Sequence, residues 1–424
     1  MMIVGATTAT CGIAALATAG VVIRPFRLPE EVWAMAGAAL LVLLGLLSWS
    51  DALDGIRKGT DVYLFLTGMM LIAEMARQEG LFDWVAALAV KHAKGSPHRL
   101  FALVYGVGIV VTALMSNDAT AVVLTPAVYA AAQAAEAEPP PFLLICAFIA
   151  NAASFVLPIS NPANLVIYGS RMPELSAWLG QFGLASVASI AATYVMLRLT
   201  QRRALAAETL TAKVPRPKLS RGGVLTAYGI GAIAVVLLAC SALNVQLGLP
   251  TFVCGAVTSV LVLVLNRSPL LPVVRQVSWG VLPLVAGLFV LVEGLDRVGA
   301  VAALSAFLHA AVAHSVAAAA WGSAAVVAMA CNLMNNLPVG LIAGSVIAGD
   351  QLPPQVTGAA LIAVDLGPNL SVTGSLATIL WLIALRREGV AISAWRFLRL
   401  GLLVMPPALV LAIGAMMLSG AFGG

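Results

Sequence analysis

The chain has 424 residues, 61% of them hydrophobic and only 10% charged, with a mean hydropathy of +1.01. A soluble domain carries about 25% charged residues, so a water-soluble globule is excluded and lipid is the solvent for most of this surface. The formal net charge of +5 would suggest nucleic acid in a soluble protein; here it reads as a bias of cytoplasmic loops, and no nucleic-acid partner is expected.

The first apolar run, 3–23, lacks a basic leader and reads as a first span rather than a cleaved signal peptide. A second span covers about 33–50, and a mixed loop follows, from Asp51 to Asp61. A third span covers about 62–77. The segment 78–100, with Lys91, His92, Lys94, His98 and Arg99, reads as interfacial. Two short apolar arms, about 101–133, flank Ser116-Asn117-Asp118 and fit a re-entrant hairpin. A long apolar stretch, about 142–170, is broken by Pro158-Ile-Ser160-Asn161-Pro162-Ala-Asn164. A span at 177–197 closes an N-terminal repeat, 1–199.

The segment 200–222, with its flank, holds seven basic residues, Arg198, Arg202, Arg203, Lys213, Arg216, Lys218 and Arg221, against one acid, Glu208. It reads as a cytoplasmic linker. The plan then recurs over 223–424. Spans fall at about 223–243, 250–266 and 278–294, and an amphipathic piece at 299–314. A hairpin at about 317–349 turns on Met334-Asn335-Asn336-Leu337-Pro338. A stretch at about 355–385 is broken by Asp365-Leu-Gly-Pro-Asn369 and Thr373-Gly-Ser375. A last span covers about 396–419.

The expected fold is therefore an all-α polytopic membrane protein. It has about ten spans, two re-entrant hairpins and discontinuous helices at the midplane. Strands of about 10 alternating residues, the mark of a barrel, are absent from the pattern. With the linker inside, 19 of the 23 Lys and Arg residues fall on cytoplasmic loops and span ends, leaving Arg57, Lys58, Arg171 and Arg297 outside. That asymmetry sets the orientation and places both termini outside. Five crossings per half is an odd number, so the halves run in opposite directions, as inverted-repeat transporters do.

Broken helices in a membrane leave backbone groups unpaired, which is tolerated where they line a polar cavity. Their ends carry partial charge and can hold a solute or ion. Here the breaks are lined by Ser116, Asn117, Thr120, Ser160, Asn161, Asn164, Asn335, Asn336, Asn369, Thr373 and Ser375. Amides and hydroxyls both donate and accept. They suit a neutral, hydroxylated solute, and equally a dehydrated Na⁺. A role as helix–helix glue is the plainer alternative. Asp118 and Asp365, one per half, are the candidates for proton or cation coupling, because burial favours the protonated form of an acid. Helix capping is their bland alternative. Glu74 and Glu293 read as interfacial.

The four histidines lie outside the breaks. The five cysteines, Cys11, Cys146, Cys240, Cys254 and Cys331, form no metal spacing and read as small core residues. Neither a phosphate-binding loop nor a zinc-protease signature is present. No enzyme, metal site or cofactor is expected, and energy must come from an ion gradient, the membrane potential or a separate ATPase.

Ser116-Asn-Asp-Ala-Thr-Ala-Val-Val-Leu-Thr-Pro126 and Asn335-Asn-Leu-Pro338 resemble the hairpin tips of the ion transporter superfamily. That group includes dicarboxylate carriers and Na⁺/H⁺ antiporters. The stretch Asp365-Leu-Gly-Pro-Asn-Leu-Ser-Val-Thr-Gly-Ser-Leu-Ala-Thr-Ile-Leu-Trp381 resembles the ArsB-type arsenite efflux permeases more specifically. The resemblance runs over nearly the whole chain. It implies proton-coupled export of As(OH)₃, with Sb(OH)₃, across a bacterial inner membrane. It also implies an optional soluble, arsenite-stimulated ATPase partner, and leaves room for a homo-oligomer. One clamp would use Ser116, Asn117, Asp118 and Thr120 with Ser160, Asn161 and Asn164. The other would use Asn335 and Asn336 with Asp365, Asn369, Thr373 and Ser375. Two departures stand out: Asn369 where some relatives would carry Lys, and Asn151 where an Asp would be familiar. An Na⁺/H⁺ antiporter and a dicarboxylate or inorganic-anion carrier are the alternatives within the superfamily.

Overall fold

The computed structural model describes residues 2–207, 210–211, 218–349 and 352–422, and the described residues form helices joined by short turns, with no strand among them. In the first half these are α1 (Met2–Ile23), α2 (Glu30–Leu43), α3 (Trp49–Lys58), α4 (Thr60–Gln78), α5 (Leu81–Ala93) and α6 (Pro97–Leu114). A short α7 (Asn117–Ala119) widens into a π-helical turn, Thr120–Leu124, and continues as α8 (Thr125–Ala134). Then come α9 (Pro140–Ala152), α10 (Pro162–Tyr168) and α11 (Leu175–Ala207).

The second half holds α12 (Arg221–Ala242), α13 (Gly248–Asn266), α14 (Leu270–Gln276), α15 (Val281–Arg297), α16 (Ala300–His314) and α17 (Val316–Met334). It continues with α18 (Asn336–Gly349), α19 (Pro354–Leu366), α20 (Leu376–Arg387) and α21 (Ala394–Phe422).

The order of elements repeats, and so does their packing. α4 lies on α13 while α15 lies on α2; α12 lies on α13 while α1 lies on α2. Likewise α6 packs on α9 and α17 on α19, and α11 meets α21 across the middle. The two halves thus exchange partners in the way a two-fold-related pair does. Seven of the described helices are long and apolar enough to cross a membrane, or up to nine if each bent pair is one span.

Several boundaries differ from the sequence expectation. The second span ends at Leu43, and the expected loop from Asp51 to Asp61 is mostly helix α3. The reason is local: the Ser48 hydroxyl accepts from the Asp51 N–H at 3.1 Å and caps an amphipathic turn. The segment read as interfacial contains α5, whose Phe82, Ala86, Val90 and Ala93 are buried. The first arm of each hairpin, α6 and α17, reaches span length, whereas the broken partners α9 and α19 have 13 residues each. Arg198, Arg202 and Arg203, assigned to the linker and its flank, extend α11 instead. Glu208, Lys213 and Arg216 lie outside the described residues.

Candidate functional site

Each hairpin turns on a residue with positive φ: Ser116 at 155° and Asn335 at 75°. Asn tolerates such a conformation better than most residues because its side chain bonds locally. The Asn335 Oδ1 accepts from the Leu337 N–H at 3.3 Å and its Nδ2 donates to the Thr373 carbonyl at 3.4 Å. The Asn336 N–H donates to the Gly374 carbonyl at 2.9 Å. The second tip is therefore stapled to the break that precedes α20. At the first tip, Ser116 Oγ accepts from the Ala119 N–H and Asn117 Oδ1 from the Asp118 N–H. Ser160 Oγ donates to the Ala113 carbonyl at 3.0 Å, joining that hairpin to the break before α10.

The second helices of the two breaks begin alike. Asn161 caps α10 through the Ala163 N–H, and Ser375 caps α20 through the Thr378 N–H. Pro158 and Pro162 in the first break, and Pro368 in the second, carry no N–H and keep the helices from running on. Asn164 fills the first break from inside, donating to the Ser154 carbonyl at 2.9 Å and to the Pro158 carbonyl at 3.3 Å.

At the breaks, Asn161 and Asn151 each bridge the two halves. Asn161 Nδ2 donates to Asp365 Oδ1 at 2.6 Å. Asn151 Nδ2 donates to Asn369 Oδ1 at 3.0 Å and to Thr378 Oγ1 at 3.3 Å. Their members correspond only in part. Asn151 and Asp365 each stand one residue before the end of their helix, and Asn161 and Ser375 each cap the next one. Asn369 is anchored further through Nδ2 to the Phe148 carbonyl at 2.9 Å.

All these groups are buried, with Asn151, Asn164, Asp365, Asn369 and Ser375 at 0% exposure. Four acceptor oxygens in this region have no donor: Asp365 Oδ2, Asn151 Oδ1, Asn164 Oδ1 and Asn336 Oδ1. Buried acceptors are normally satisfied, so these four stand out among the described residues.

The two acids are not equivalents. Counting from the tips, the repeat puts Leu337 where the first hairpin has Asp118, and Asn151 where the second half has Asp365. Asp118 lines a cavity between the first tip and α4, together with Glu74 and Ser116, and Asp365 is absent from its walls. Thr120 is engaged by Thr112, the two hydroxyls lying 2.8 Å apart. Thr373 bonds to the Asn332 carbonyl at 3.0 Å and faces Ser371 Oγ at 3.1 Å.

Sequence reading did not single out Asn332, Ser371 or Thr378. Asn332 Nδ2 donates to the Ala328 and Gly367 carbonyls, and its Oδ1 accepts from Ser371 Oγ at 2.7 Å, so it holds the second break in shape. Its signal was an Asn four residues ahead of another Asn inside an apolar arm. Glu74 and Glu293, expected at the interface, are buried to 7% and 4% exposure. Partners make this tolerable: Arg77 and Gln78 hold Glu74, while Lys58 and Arg297 hold Glu293. All five cysteines are free. Cys331 is buried with its Sγ 4.0 Å from the Val364 carbonyl, one residue from Asp365.

Comparison with known proteins accords with this geometry. The arsenical pump membrane protein of Escherichia coli is 27% identical over 407 residues, covering 92% of this chain and 93% of that protein. The one from Yersinia enterocolitica is 29% identical over 364 residues, covering 82% and 84%. An uncharacterized transporter of Mycobacterium tuberculosis is 27% identical, covering 92% and 94%. Among solved structures, the Alcanivorax borkumensis YdaH transporter matches with a TM-score of 0.56 at 16% identity, over 88% of this chain and 87% of that one. That likeness concerns the fold alone. The model of the CitMHS family, described as citrate transporter, matches residues 13–365. The chain accordingly belongs to the CitMHS family and is a multi-pass membrane transporter of the ArsB-type group within the ion transporter superfamily.

Proposed function

We propose that this chain exports the neutral trihydroxylated form of trivalent arsenic, and its antimony analogue, across a bacterial inner membrane in exchange for protons. The observation that carries the reading is the set of unpaired acceptors at the crossing, on Asp365, Asn151, Asn164 and Asn336. As(OH)₃ brings three O–H donors and no charge, so it would satisfy acceptors without the cost of burying an ion. Full-length similarity to proteins named arsenical pump membrane protein supports the same substrate. Thiolate coordination is the weaker alternative, because Cys331 is the one thiol beside the second break and a single thiol leaves two arsenic positions to oxygen.

The mechanism is alternating access. The solute binds between the two breaks, and the unit of hairpins and broken helices shifts against the remaining spans. Protons are carried by Asp118 and Asp365. A proton drives the cycle only if it binds one conformation better than the other. Asp365 fits this requirement, since its Asn161 bridge spans the two halves, so its surroundings change when one half moves against the other.

The family model's description as citrate transporter favours a carboxylate carrier as the second reading. Against it, none of the four breaks, 116–120, 158–164, 334–338 and 365–375, contains Lys or Arg. A multiply charged anion would meet two acids and no cationic side chain there. Everted membrane vesicles carrying the protein separate the readings. Uptake of As(III) that rises with an imposed proton gradient, without matching uptake of citrate or Na⁺, is expected. Asp118→Asn with Asp365→Asn should abolish the gradient-driven component; undiminished coupled uptake in that double variant rejects the role of the acids. Citrate uptake with no As(III) uptake rejects the substrate.

A further inference from the structure

The cavity at the first hairpin tip is walled by elements that do not all belong to one half. α4 contributes Glu74, the tip contributes Ser116 and Asp118, α10 contributes Pro162, α14 contributes Gln276, and the turn before α15 contributes Ser278. Of its walls, only Glu74 and Asp118 ionise. Of the elements behind Asp118, α9 carries the thiol of Cys146, the stretch 100–114 of α6 and the run 120–134 carry no charged residue, α20 bears Arg386 and Arg387 only at its far end, and α5, packed on the π-helical turn, carries Asp83, Lys91 and His92. Glu74 is nearly closed off from solvent at 7% exposure, yet it is neutralised in place by Arg77, with Nη2–Oε1 at 2.6 Å and Nε–Oε2 at 2.8 Å, and by Gln78 at 2.7 Å. Such a two-pronged contact fixes the guanidinium.

The repeat-related place in the second half has different chemistry. There the walls include Asn335, Leu337 and the Arg24–Glu30 pair, and no tip carboxylate. An ionisable tip is thus a property of the first hairpin alone.

We propose that this cavity is the port through which Asp118 exchanges its proton with water, and that the Glu74–Arg77 pair is its positioning element. The pair presents the port with a charge-compensated wall. A hydrated proton passes along Glu74, Ser116 and Ser278 oxygens to the Asp118 carboxylate, while the guanidinium disfavours retention of a metal cation between two carboxylates. This inference rests on the proton-coupled reading above and adds the route and its gate. Arg77 lies among the basic residues that the loop charges put on the cytoplasmic side, so the port serves proton release into the cytoplasm.

The test uses the opposite signs of the two members of the pair. With Glu74→Gln, Arg77 loses its counter-charge and favours ionised Asp118, so the midpoint of the pH profile of gradient-driven As(III) uptake moves to lower pH. With Arg77→Gln, an uncompensated Glu74 favours protonated Asp118, and the midpoint moves to higher pH. Each shift should be about 0.5–1 pH unit. Arg77→Lys, which keeps the charge, should stay near the unaltered profile, and the double Gln variant should return towards it. Arg77→Gln should also become inhibitable by Na⁺. A purely structural pair would lower membrane abundance and maximal uptake in both variants with unmoved midpoints, and that result overturns the port. Gradient-driven As(III) uptake that the unaltered protein lacks altogether would overturn the port and the proposed function together; unmoved midpoints in a protein that shows such uptake overturn the port alone.

Discussion

At the scale of single residues, the Asn161–Asp365 bridge is the contact on which most depends. It joins the cap of one broken helix to an acid in the last turn of the other, at 2.6 Å and with both groups buried. A hydrogen bond to a charged group is worth about 1.5–3 kcal/mol, and removing one partner leaves the other's desolvation unrelieved. Asn161→Ala should therefore weaken the protein by about 2 kcal/mol and lower As(III) export about tenfold or more. Asn161→Ser, which keeps a short capping side chain, should recover the fold better than the transport. Thermal unfolding in detergent and uptake in vesicles, measured on the same preparations, check both halves of that statement. Equal recovery of stability and transport by Asn161→Ser would contradict a functional role for the amide.

Asn151 poses the reciprocal question. It occupies the place that Asp365 holds in the other half, and its amide bonds Asn369 and Thr378 instead of an acid. Asn151→Asp would remove the Nδ2 donor that both partners use. The Thr378 hydroxyl can turn to donate, whereas Asn369 Nδ2 stays on the Phe148 carbonyl, so the variant is expected to fold with some loss of stability. It would add a second midplane acid, and the pH dependence of uptake should become steeper or acquire a second inflection. An unchanged profile with unchanged abundance would show that Asn151 is structural only.

At the scale of elements, the long helices are held by close backbone approach where their sequences supply glycine. A Cβ built on Gly68 of α4 would stand 2.3 Å from the Thr251 carbonyl oxygen, and one on Gly255 of α13 would stand 2.4 Å from the Gly68 oxygen. Both contacts are to backbone, which cannot swing aside. Small residues at such crossings let helices pack where lipid offers no hydrophobic drive. Gly68→Val should thus cost about 1–3 kcal/mol through overpacking, read as a lower melting temperature. Gly106→Ala, at a position with open space around it, is the control and should be near neutral. Comparable losses from both substitutions would mean that helix packing at Gly68 is not special.

Element boundaries show what a sequence of this kind makes legible. The four breaks were legible because Asn, Pro and Ser interrupt runs that are otherwise apolar, and Pro158, Pro338 and Pro368 mark three of them. The helix α3 was not, because it is short and carries Asp51, Asp54, Arg57 and Lys58, so hydropathy alone resembles a loop, and α5 read as interfacial because Lys91, His92 and Lys94 cluster at its end. The bridging of Asn151 to Asn369 and Thr378 was out of reach as well. It joins residues 218 and 227 positions apart, and no local pattern encodes which buried amide meets which. The apparent symmetry of one acid per half was legible but misleading, since position within the repeat, and not distance along the chain, decides equivalence.

At the scale of the whole molecule, orientation follows from charge, and the structure shows what holds the cations of the minority side. Of the four basic residues that the loop charges leave on the outer side, three are bound to carboxylates: Arg57 to Asp54, Lys58 to Glu293, and Arg297 to both Asp51 and Glu293. The fourth, Arg171, donates to the Ala348 carbonyl at the end of the second hairpin. Orientation is decided by the Lys and Arg bias of the short loops, where 19 of the 23 stand on one side. The prediction is that both termini lie in the periplasm, with the 200–222 segment in the cytoplasm. Alkaline phosphatase fused after α21 should be active and a fluorescent protein fused there dark, whereas alkaline phosphatase fused after α1, beside Arg24 and Arg27, should be inactive. A tag inserted within 212–217 should be shielded from external protease in intact cells. Replacing the linker's basic residues with Gln should scramble this arrangement, whereas replacing Arg57 and Arg297 should lower stability and leave the orientation as it was. Periplasmic exposure of the linker in the unaltered protein would invert the whole assignment, and with it the side to which the Glu74–Asp118 cavity releases its proton.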